Sequence, residues 1–137
     1  MKKKITAVLL ICVCLAGAVW CFNPKVRTNV FVALHSSSLE EAYQTGIYPA
    51  RIGDKYMNDW PGEHPMAEFT LSTFGLVPST GYYGCYYSPD DVPRPFQNAP
   101  VPLVQTDDGR WEWAGEGDNH GTTSKIKDCW YYFEAHF

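Results

Sequence analysis

The sequence predicts an α+β domain, a small antiparallel sheet of about five strands with one short helix, lying behind an N-terminal hydrophobic segment. Three observations carry that prediction. In residues 129–137, Cys129, Tyr131, Phe133, Ala135 and Phe137 alternate with Trp130, Tyr132, Glu134 and His136. A period of two with one wholly apolar, aromatic-rich side is the pattern of a half-buried strand. Asp107-Asp108-Gly109 separates two strand-like runs, residues 101–106 and 110–114, which reads as a hairpin with a type I′ turn. Leu39, Ala42 and Tyr43 have the i, i+3, i+4 spacing of one helix face.

In chain order, Lys2, Lys3 and Lys4 precede residues 5–22, a run of 18 without a charge. This order is that of a secretory signal or a single-pass anchor, with the basic end retained in the cytoplasm and the remainder exported. The run just reaches the length that spans a bilayer, which favours a retained anchor. Cleavage near Ala18, after Ala16-Gly17-Ala18, is the alternative and would release a secreted domain. Lipid attachment at Cys21 is disfavoured, because Ala18-Val19-Trp20 places no small residue directly before the cysteine.

Residues 23–36 read as a polar stalk containing Pro24, followed by the run Val30-Phe31-Val32-Ala33-Leu34, whose length and β-branching favour a strand over a helix. The domain proper spans residues 37–137. Ser37 and Glu40 have capping-box spacing, so the short helix is expected to start there and to end at Gly46. Residues 47–66, with Pro49, Gly53, Pro61, Gly62 and Pro65, read as a loop pinned by Tyr48, Tyr56 and Trp60. Residues 67–74 alternate as a strand, Pro78-Ser79-Thr80-Gly81 turns the chain, and residues 82–87 return with Gly84 marking a bulge or close approach. Residues 88–95 form a turn-rich connection, residues 115–121 a polar loop, and residues 122–127 lead into the terminal strand.

At 137 residues, 45% hydrophobic and 15% aromatic, the chain can build one core. Its net charge of −4 includes the three leading lysines; the remainder holds 8 basic and 15 acidic residues, a net −7. Such a domain is a poor match for nucleic acid or anionic headgroups, which select basic patches.

Cys85 and Cys129 are the only cysteines outside the apolar segment, and in an exported domain an isolated pair predicts a disulfide. Glu116, Asp118, Asn119 and His120 form a polar loop able to grip a ligand, although turn chemistry alone calls for these residue types. No calcium-loop spacing, HExxH or zinc pattern occurs, so neither a metal nor a cofactor is expected. Trp111 and Trp113 flank Glu112, placing both indoles on one face, either as core or as a stacking platform for a sugar ring. Glu112 and Glu116 are the nearest carboxylates for a hydrolase. The expected function is therefore a non-enzymatic envelope domain, attached to the cell membrane through residues 5–22, that contacts a protein or polysaccharide partner. A carbohydrate- or cell-wall-binding module, or a small hydrolase using the Glu112–His120 region, are the alternatives.

Overall fold

The computed structural model describes residues 2–76 and 79–137. Helix α1 (Lys2–Phe22) is separated from α2 (Pro24–Thr45) by one residue, Asn23. Asn23 caps α2: its backbone is extended, its side chain accepts from the Val26 amide at 3.1 Å, and Pro24 supplies a preset φ in the first turn. The stalk and the strand expected over residues 23–34 are thus helix. Ser37 lies inside α2, not at its start. Gly46 does end the helix, in the left-handed conformation at φ 68°. Among the described residues, no helix is long and apolar enough to cross a membrane.

The strands are β1 (Arg51–Ile52), β2 (Lys55–Tyr56), β3 (Asn58–Trp60), β4 (Met66–Leu76), β5 (Ser79–Tyr87), β6 (Val104–Gln105), β7 (Trp111–Ala114), β8 (His120–Lys127) and β9 (Trp130–His136). β1 and β2 form a separate hairpin, so the region expected as a loop holds three short strands. The other seven make one antiparallel sheet in the order β3-β4-β5-β9-β8-β7-β6, larger than the five strands expected. The turn expected at residues 78–81 falls partly on Pro78, outside the described residues, while Ser79–Gly81 belongs to β5. Gly84 sits where the β4–β5 register shifts between Thr70 and Ser72, and a Cβ there would lie 1.9 Å from the Phe69 carbonyl oxygen. Only glycine permits that approach.

The β6–β7 hairpin forms around Asp107-Asp108-Gly109 as expected, with a different turn. Only Gly109 has positive φ there (79°); the Gly109 amide donates to Thr106 O at 3.0 Å and the Thr106 amide to Arg110 O at 2.9 Å. This is a type I turn closed by a left-handed glycine, the usual three-residue hairpin loop.

Two cores lie on the two faces of the sheet. On one, α2 packs Val32 and Leu39 against Phe69, Cys85, Trp130 and Tyr132. On the other, the connection through residues 88–103 lays Phe96, Val101 and Leu103 over Met66, Tyr86, Tyr131 and Phe133. β9 is the central strand and is buried on both faces along most of its length, not on one. Asp91 ties that connection to the β8–β9 turn: its carboxylate accepts from the Cys129 amide at 2.8 Å and from Lys125 Nζ at 2.5 Å.

The expected Cys85–Cys129 disulfide is not formed; both thiols are free. Cys85 is opposite Tyr132, whereas Cys129 lies in the β8–β9 turn at φ 63°, its carbonyl accepting from the Ser88 amide. A three-residue offset at about 3.3 Å per residue puts the two Cα atoms about 10 Å apart along the strands, beyond the ~7 Å that a disulfide spans.

Candidate functional site

α2 crosses the β4, β5 and β9 part of its face and reaches the end of β8, where Lys127 Nζ donates to Ser36; it leaves β6, β7 and the His120–Thr122 end of β8 uncovered there. Strand register decides which side chains share that bare surface. Glu112, Thr122, Glu134 and Tyr83 are consecutive cross-strand partners, and Ala114, His120, His136 and Gly81 form the next row. The two rows are two residues apart on each strand, hence on one face. Tyr83 fixes which face, because it belongs to the core under α2 and its hydroxyl accepts from Arg27 Nη1 at 2.8 Å.

Two histidines distant in sequence meet here. The His120 and His136 rings are 5.0 Å apart and nearly parallel, at 14°. His120 Nδ1–H donates to the Asp118 carbonyl oxygen at 2.6 Å, and His136 meets the Phe74 ring edge-on at 5.5 Å. Beside them lies a depression of about 320 Å³ lined by Phe74, Gly81, Asp118 and Phe137. A wider groove of about 580 Å³ runs along β6, past Pro102, Val104, Glu112, Ala114 and Thr122.

Of the loop residues singled out in the sequence, only His120 and Asp118 reach this surface. Gly117 has φ 70°, the Gly115 amide donates to Asn119 O at 2.7 Å, and Glu116 is exposed on the turn. Turn closure accounts for Glu116 and Asn119. No group of three or more metal-ligating side chains exists among the described residues.

Trp111 and Trp113 point to the opposite face. Trp113 is 6% exposed and packs 6.2 Å from Phe137, and Trp111 meets Tyr131 edge-on at 6.3 Å. Trp113 is core and Trp111 is half-buried against that core, so the two do not form an exposed stacking pair. Glu112 and Glu134 flank Thr122 across two strand spacings, about 10 Å. Burial, and after it the nearby Glu134 carboxylate, pushes the Tyr132 phenol up.

The most perturbed carboxyl lies elsewhere. Glu68 is 1% exposed on the second face, and burial pushes it up to about 7 against hydrogen bonds from the Gln97 amide (3.0 Å) and Thr70 hydroxyl (3.5 Å). Both oxygens are engaged, so its role is to hold the Gln97 turn, where Gln97 and Asn98 adopt positive φ. Glu134, His136 and Thr122 were not picked out from the sequence; the polar positions of the terminal strand, Glu134 and His136, were the available signal. No known protein family, curated protein or solved structure matches the chain.

Proposed function

We propose that this chain is an exported, non-enzymatic binding domain, held at the cell membrane by residues 5–22, that contacts another protein through the bare face and free edge of β6–β8. The observation that carries the reading is the β6 edge. Thr106 and Arg110 form a hydrogen-bonded pair. By the alternation of an antiparallel ladder, the next residue, Gln105, turns its N–H and C=O away from β7. Residues 99–106 contain no charge; Pro100 and Pro102 shorten the edge, so that its free pairing groups are those of Gln105. Val104, 65% exposed, and the groove beside it offer pockets for the side chains of an added strand. A polysaccharide has no use for the outward N–H and C=O of Gln105 set for β-pairing, and the tryptophans that would stack a sugar turn to the opposite face. Export is supported by Lys2–Lys4 followed by the uncharged run.

Replacing Val104 or Glu112 by a photo-crosslinking residue should yield a protein adduct in the native envelope, and the same residue at Asp54 should not. Gln105→Pro, which removes an outward N–H without breaking the ladder to β7, should abolish the adduct while the fold persists. Absence of a protein adduct from both positions, or a polysaccharide adduct, overturns the reading. A fusion of residues 1–25 to a reporter active only outside the cytoplasm should give signal, and intact mass separates a retained segment from one cut near Ala18.

A further inference from the structure

On the α2 side of Thr122, a depression of about 250 Å³ lies where α1 meets α2. Ser124, Tyr132 and Glu134 come to it from β8 and β9; Lys25 stands at the start of α2, and Arg110 comes from the β6–β7 turn. Cations converge on it from parts of the chain distant in sequence. Lys25 makes no ion pair among the described residues and lies 5.9 Å from the centroid of the Tyr132 ring. Arg110, which lines the depression, engages Asp108 through Nε at 2.6 Å. The partial positive charge of the α2 N-terminus is offset there by the C-terminus of α1, so the positive charge at the site comes from the Lys25 and Arg110 side chains.

The lining also contains a polar group that the fold leaves unanswered. Ser124 is 5% exposed, and its Oγ has no hydrogen-bond partner. Its cross-strand partner is Tyr132, a member of the core under α2, so its side chain is on the same face as the depression. A buried hydroxyl without a partner is uncommon and asks for a ligand atom. Glu134 sets the remaining requirement: a bare anion would meet its carboxylate, and a bare cation would meet Lys25 and Arg110.

We propose that this depression binds a zwitterionic phosphate ester of the phosphoethanolamine type. The phosphate is held by Lys25, Arg110 and the Ser124 hydroxyl, and the ammonium by Glu134. Such a group is available as a phospholipid headgroup or as a soluble ester. Phe22, the last residue of the uncharged run, also lines the depression and is 85% exposed, which fits the headgroup. That choice of source rests on the proposed membrane attachment; the site itself does not.

The full chain, kept in a phosphate-free maltoside detergent, should bind phosphoethanolamine saturably by calorimetry. Lys25→Ala and Arg110→Ala should each weaken binding tenfold or more with the circular dichroism unchanged. Ser124→Ala should weaken binding yet leave the thermal midpoint equal or higher, because the hydroxyl has no partner in the fold to lose. Glu134→Gln should erase the preference for phosphoethanolamine over inorganic phosphate. Competition by maltoside micelles doped with phosphatidylethanolamine but not by micelles doped with phosphatidylglycerol assigns the headgroup; binding of the free ester without competition from the doped micelles assigns a soluble ester. No saturable binding by the folded protein, or a preference over inorganic phosphate that survives Glu134→Gln, overturns the proposal. Neither outcome depends on crosslinking at Val104, so the partner-binding reading stands or falls separately.

Discussion

Glu68 is the residue at which chemistry and fold are most tightly linked. Its folded pKa, about 7, is above the ordinary 4.5, so the stability linked to its proton is fully present below pH 4.5 and is lost as pH rises through 7. The thermal midpoint should fall across that window, and Glu68→Gln should flatten the fall. Asp91 acts with the opposite sign: the Lys125 hydrogen bond, then the Cys129 amide, holds it below the usual range, and what it contributes is lost on acidification. Phe133, fully buried at the centre of the sheet, should cost about 3–5 kcal/mol as Phe133→Ala. His136→Ala at the rim should cost about 0.5 kcal/mol, as surface substitutions usually do; equilibrium denaturation of both variants checks the contrast. Cys129, half-buried, should alkylate in the native protein before the fully buried Cys85, and both should react after unfolding without reductant. The sequence made these two cysteines look like a pair because they are the two outside the apolar run of an expected exported domain; only the register shows them three positions apart.

At the scale of elements, the hairpins were legible and the long helix was not. β4, the β6–β7 turn and β9 announced themselves through alternation and an Asp-Gly pair, which are local signals. α2 buries Thr28, Val32, Ser36 and Leu39, a stripe at helical spacing in which two of the four residues carry hydroxyls. Such a stripe gives almost no apolar periodicity. Each hydroxyl is satisfied, Thr28 by the Pro24 carbonyl at 2.9 Å and Ser36 by Lys127 Nζ at 2.6 Å. The β-branched run at residues 30–34 therefore resembled a strand, and Ser37 with Glu40 resembled a start. Capping chemistry separates the two assignments. Asn23→Ala should cost about 0.5–2 kcal/mol, the usual worth of an N-cap, whereas Ser37→Ala, exposed within the helix, should be neutral or slightly stabilising. Gly84→Ala should destabilise by about 1–3 kcal/mol, the typical range for overpacking, since the Phe69 carbonyl would have to move.

At the scale of the molecule, the fold class was readable, but the strand order and the candidate site were not. The row Glu112–Thr122–Glu134 exists because three strands pair in one register, and no spacing along the chain encodes it. His120 and His136 likewise meet only after β8 and β9 pair. Burial of both faces of β9 was hidden because Glu134 and His136, near its end, made one side look polar.

The central place of β9 also sets an order on events. The β4–β5 pair and the β7–β8 pair are each formed from neighbouring stretches of chain, and β9, which follows both, joins them. While the chain emerges, each half-sheet presents an open edge and an uncovered apolar face until residues 130–136 arrive to close both at once. The non-local β5–β9 pairing makes that closure the slow step. A nascent chain held short of Trp130 is the species most prone to pair with the wrong strand.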